Sequence, residues 1–174
     1  MLKTVVNQLW ESGKLNPLPA SQADVRELIS RIFKREPPSP ILEYYRLVPG
    51  GMVGGIPLYG VNFTQEGFNL LAGFKLHEQR IAAGYWPIAN DGCGNLYCCV
   101  ALDDTNFPVG FVEVAVDEIV PQWIVASSIE ALLTGIVSAE FDGAEWPYGD
   151  MAEEQDPGRR VLDERFQRIR LVGG

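Results

Sequence analysis

Apolar residues recur along this chain with a helical period near both ends and a strand period in the middle. Leu2, Val5, Val6, Leu9 and Trp10 fall at helical spacing and predict a short amphipathic helix that Gly13 ends. Asn16 to Ala20, with two prolines, reads as a linker. Ser21 is placed to cap a second helix, in which Val25, Leu28, Ile29, Ile32 and Phe33 form one apolar stripe. Arg26, Arg31, Lys34 and Arg35 sit off that stripe, crowded toward the end where the helix dipole favours cations. Pro37 and Pro38 break the chain, and Ser39-Pro40 restarts it as N-cap and first helical residue. Ile41, Leu42, Tyr44, Tyr45, Leu47 and Val48 make this third helix apolar nearly all round, and Pro49-Gly50-Gly51 stops it. A short strand is expected at Ile56 to Tyr59, then a helix over 64–83 that contains His77, the one histidine.

The period shortens at Tyr85. An apolar run to Ala89 meets the turn cluster Asn90 to Asn95, and a second run continues to Leu102. In the second run Leu96, Cys98, Val100 and Leu102 point one way and Tyr97, Cys99 and Ala101 the other. Both sets are largely apolar, so this strand should be covered on both faces. Asp103 to Pro108 is another turn cluster, followed by the β-branched and aromatic run Val109 to Val116. Residues 85–116 are therefore expected to be a three-stranded antiparallel meander at the sheet centre, packed by the helices at 22–34 and 126–137. Gly92, Gly94 and Asn95 suit a tight loop whose side chains bond its own backbone, so Asp91 to Asn95 is chiefly structural.

A loop broken by Pro121 follows. Ser127 and Glu130 have the spacing of a reciprocal capping box at the start of a helix whose core stripe is Ile129, Leu132, Leu133, Ile136 and Val137. Glu140 to Asp156 holds seven acids and no base, and Trp146 and Tyr148 within it favour packing back on the domain. Arg159 to Leu171 returns to helical spacing with five arginines placed to neutralise that acidic segment. The pattern gives an N-terminal helix and linker over 1–20, a domain over 21–138, and an acidic segment with a C-terminal helix over 139–174.

Charge changes the picture. From Ile81 to Gly158 there is no lysine or arginine, and this run holds 14 of the 23 acids. Such a surface repels phosphate, which argues against nucleic acid, and attracts basic protein surfaces. No apolar run approaches the roughly 20 residues of a membrane span, and Met1 to Trp10 lacks the pattern of a secretory signal. The odd count of three cysteines reads as reduced, buried thiols in a cytoplasmic protein.

Candidate chemistry is sparse. The glycines at 50–55 follow a helix instead of opening one and precede no Gly-Lys-Ser/Thr, so they are not a phosphate loop. One histidine, cysteines without ligand spacing and carboxylates placed in turns offer no catalytic residues, no metal site and no cofactor site. Asp103-Asp104 is the nearest carboxylate pair, in a solvated turn.

The order of landmarks resembles a known family. A helix ends in Pro49-Gly50-Gly51, then a short strand and a helix lead to Trp86-Pro87-Ile88-Ala89-Asn90-Asp91-Gly92-Cys93-Gly94-Asn95 and Tyr97-Cys98. An aspartate turn, Pro108-Val109 and Ala126-Ser127-Ser128 follow. Over about residues 22–138 this resembles the SUKH superfamily, the SMI/KNR-type domain, with Val100 standing where many members carry an aspartate. The resemblance implies an α+β fold, a central mainly antiparallel sheet flanked by helices. It also implies a bacterial immunity protein that neutralises a toxin, often a nuclease, encoded beside it. The alternative is a regulatory protein-interaction module without a toxin partner. Either way the expected partner is a basic protein, met by the base-free region through Asp91, Asp103, Asp104, Glu113, Asp117 and Glu118.

Overall fold

A computed structural model describes residues 2–17, 25–61, 70, 74–113, 119–143 and 154–173. Seven strands pair only with their neighbours in sequence, every pair antiparallel: β1 (Leu15–Pro17), β2 (Gly51–Val53), β3 (Ile56–Leu58), β4 (Tyr85–Asn90), β5 (Leu96–Val100), β6 (Val109–Val112) and β7 (Trp123–Ala126). Around this sheet lie α1 (Leu2–Glu11), α2 (Val25–Phe33), α3 (Ser39–Leu47), α4 (Phe74–Ala82), α5 (Ile129–Asp142) and α6 (Gly158–Gly173). The protein is an α+β fold with a central antiparallel sheet flanked by helices.

The expected meander is present, and all five residues of β5 are buried. Tyr97 and Cys99 face the main core, which joins residues of α1, α2, α3 and α5 to Trp86, Ile88, Phe111 and Val125 of the sheet. Leu96 and Cys98 face the other way, into a smaller cluster with Tyr59 and Val112. Val100, on that same face, packs with Ile124 and with Phe166 of α6. The two-sided apolar pattern of β5 thus has its cause in helices on one face and α6 on the other. Burial of Tyr44 and Tyr45 is compensated by their hydroxyls, which donate to the carbonyls of Ile88 (2.8 Å) and Pro87 (2.5 Å) where the β4–β5 register shifts.

Several expectations are corrected. Residues read as the start of a linker form β1, which pairs with β2, and Leu2, Val6, Leu9 and Leu15 belong to the main core. The loop around Pro121 leads directly into a seventh strand. Helix α3 starts at Ser39, with Pro38 at the N-cap and no side-chain cap. Ser128, not Ser127, caps α5: its Oγ accepts from the Ala131 N–H at 3.1 Å. Helix α5 also runs on to Asp142, so residues 139–142 are helix. The expected helix at 64–83 is described from Phe74. The C-terminal end of the expected Val109–Val116 strand, from residue 114, and most of the acidic segment, Trp146 and Tyr148 included, lie outside the described residues.

Helix α6 packs on β7 and caps the sheet's edge. Asp163 Oδ1 accepts from the Ile124 N–H at 2.7 Å, and Gln167 Nε2 donates to the Gln122 carbonyl at 2.6 Å. Edge strands otherwise offer such groups to other chains. Arg165 reaches Asp103 at 2.6 Å, while Arg160 and Arg168 pair with Glu164 of their own helix.

Candidate functional site: an acidic cleft at one end of the sheet

The loop between β5 and β6 is built on one carboxylate. Asp103 Oδ1 accepts from the Thr105 N–H (2.7 Å), the Thr105 hydroxyl (2.8 Å) and the Asn106 N–H (2.7 Å). Oδ2 accepts from Asn106 Nδ2 at 2.7 Å and from Arg165. The Thr105 backbone N–H, then the Asn106 and Thr105 side chains, hold this carboxyl well below the usual carboxylate range. Asp103 was read as a free turn carboxylate. It is the turn's organising acceptor, and its neighbour Asp104 is the exposed one.

This turn stands beside the N-termini of α3 and α5, and two adjoining clefts open there. Pro40 and Phe107 form their shared wall. One, of about 290 Å³, is floored by Leu2 and Ile129, with Glu43, Glu130, Ser127 and Ser128 around it. The other, of about 520 Å³, is lined by Pro38, Ser39, Ala101, Asp103 and Asp104. Among the described residues four carboxylates and no lysine or arginine line the pair, one of the four, Asp103, being ion-paired with Arg165 from outside the lining. Apolar floors under a charged rim suit a lysine or arginine side chain, whose stem is apolar and whose head is cationic.

The opposite end of the sheet carries a second aspartate turn of the same kind. Asp91 Oδ1 accepts from the Cys93 and Asn95 N–H groups at 2.8 and 3.1 Å, and Oδ2 accepts from Asn95 Nδ2 at 2.7 Å. Gly92 and Gly94 take φ of 79° and 105°, as this loop requires. Glu113 follows β6 at this same end, its N–H bonded to Gln122 Oε1 at 2.8 Å. The acids expected to form one partner face are therefore divided. Asp103 and Asp104 lie at one end, Asp91 and Glu113 at the other, and Asp117 and Glu118 lie outside the described residues. Glu43 and Glu130, which sequence reasoning missed, join the first pair. Glu43 is the one acid in the apolar α3 sequence, and Glu130 opens α5; both were legible only as helix residues.

Cys98 and Cys99 are buried, as expected, and burial pushes the Cys98 thiol up to about 12 and the Cys99 thiol higher still. Cys93 departs from the expectation and is exposed. Among the described residues no three of His, Cys, Asp and Glu gather as a metal-binding group. No helix among them is long and apolar enough to cross a membrane. Comparison with protein-family models, curated proteins and solved structures finds no match to this chain.

Proposed function

We propose that this protein is a non-catalytic protein-binding domain of the cytoplasm. In this reading it is an immunity protein that binds a cognate nuclease-type toxin encoded nearby and blocks it. The observation that carries the reading is the pair of adjoining clefts with Glu43, Asp104 and Glu130, beside an Asp103 already paired with Arg165, and with no basic residue among the described lining residues. A nuclease site is basic because it must hold phosphate, so an acidic, partly apolar cleft is complementary to it. The resemblance to SUKH domains supplies the kind of partner; the cleft supplies the chemistry of contact.

The test is direct binding between the purified chain and the product of the neighbouring gene, followed by a nuclease assay at equimolar ratio. The expected result is a stable complex and lost nuclease activity, both weakened by Asp104→Lys. Binding to a neighbouring product that is no toxin would favour the regulatory module. Absence of binding, or binding indifferent to Asp104→Lys, would remove this cleft as the site.

A further inference from the structure

The outer face of α6 has a symmetry that the fold itself does not use. Leu162, Asp163, Phe166 and Gln167 face β7. Val161, Glu164, Arg168 and Leu171 recur three, four and three residues apart, so they share the opposite face. They are open to solvent. Val161 is 68% and Leu171 83% exposed, and the Glu164 and Arg168 side chains are 54% and 79% exposed. The four positions read the same from either end: an aliphatic residue, a charge, the opposite charge, an aliphatic residue.

We propose that this face is a docking surface for a second copy of the chain, the two α6 helices packing antiparallel across a two-fold axis at the level of Phe166. That arrangement sets Val161 against the partner's Leu171 and Glu164 against the partner's Arg168, each contact occurring twice. A two-fold interface must be self-complementary, and this stripe is. The chain's net charge of −9 repels a second copy over most of its surface. Helix α6 carries five arginines against two acids, so the contact sets one basic helix against another, and the two Glu164–Arg168 pairs across the axis offset that repulsion. Arg165 adds little positive charge to the contact, because Asp103 neutralises it. The pairs that Glu164 makes with Arg160 and Arg168 within the helix are exposed and weak, so exchanging or sharing them with a partner costs little. A single helix face buries less than a standard interface, which makes the dimer weak and concentration-dependent.

Sedimentation equilibrium of the full chain, up to about 1 mM at roughly physiological salt, tests this. Wild type is expected to show a monomer–dimer equilibrium. Glu164→Arg and Arg168→Glu each place like charges opposite one another twice and should weaken it about tenfold or more. The double swap Glu164→Arg/Arg168→Glu should restore it, and so should an equimolar mixture of the two single variants, because their charges are then complementary across the axis. Leu171→Asp, at a position exposed in the monomer, should abolish association while leaving the melting temperature unchanged. A monomeric wild type, single variants that dimerise like wild type, or a mixture that fails to associate would each overturn the proposal.

Discussion

Two aspartates carry most of the local chemistry that can be tested one residue at a time. Asp103 is held ionised by the donors around it. Its folded-state pKa is depressed, so its stabilising contribution is complete above the unfolded-state value of about 3.9 and is lost as pH falls from there toward the folded value. Asp103→Asn should therefore lower the urea midpoint at pH 7, and the gap from wild type should narrow below about pH 4. A gap that stays constant to pH 2.5 would mean that the charge is not what the turn requires. In the Asp91 turn the glycines are the sensitive positions. Nothing lies within 4 Å of a Cβ placed on Gly94, yet its φ is +105°. Gly94→Val should then cost about 1–2 kcal/mol through backbone strain alone, read as a fall in denaturant midpoint without a change in slope.

At the scale of elements, the two questions are what starts α5 and what holds α6. Ser128 is the residue whose hydroxyl meets an unpaired helix N–H. Ser128→Ala should cost about 1 kcal/mol. Ser127→Ala should cost far less, because it is the Ser127 backbone N–H that binds Asp156, at 2.6 Å. Thermal melts of the two variants side by side separate these assignments; equal losses would return the cap to Ser127. Helix α6 rests on Phe166 and Leu162 and on side chains bonded to the β7 backbone. Asp163→Ala removes the acceptor for the Ile124 N–H. Hydrogen exchange should quicken at Ile124 while the β4–β5 ladder keeps its protection, since edge and centre open as separate units. Uniform quickening across the sheet would show instead that α6 is part of the global cooperative unit.

For the whole molecule, the distribution of charge in space matters more than its sum. Acids of the base-free run reach both ends of the sheet, and those beside the clefts share their walls with apolar residues such as Leu2, Pro40, Phe107 and Ile129. Helix α5 spans the distance between the ends: Glu130 stands at its start and exposed Asp142 at its finish. That separation is about 20 Å, more than two Debye lengths of about 8 Å. Glu130→Lys should slow association with a basic partner and flatten its salt dependence, whereas Asp142→Lys, the same change in net charge, should do so much less. Stopped-flow rates across a salt series decide this, and equal effects would mean that net charge alone steers the encounter. Reversing Asp103 is unsuitable for the purpose, because it would break the turn as well as the field.

Local sequence determined what depends on neighbours in the chain. Alternation and turn residues placed the β4–β5–β6 meander, since side-chain period and turn chemistry act within a few residues. The Asp91 to Asn95 loop was legible for the same reason: its bonds close within five residues. The α6 stripe was legible as a helix. Tertiary structure alone decided the rest. Strands β1, β2 and β7 are three or four residues long, too short for a period to show, and exist because partners complete their ladders. The face across β5 from the main core depends on Phe166 packing beside Val100, residues far apart in sequence. The Asp103 turn closes on Thr105 and Asn106 within three residues, but the ion pair that engages Asp103 and spares Asp104 comes from Arg165, which only the fold brings near. The cleft is decided in the same way. Glu43, Asp104 and Glu130 lie on three separate elements, and their common charge becomes one site only where the N-termini of α3 and α5 meet the β5–β6 turn.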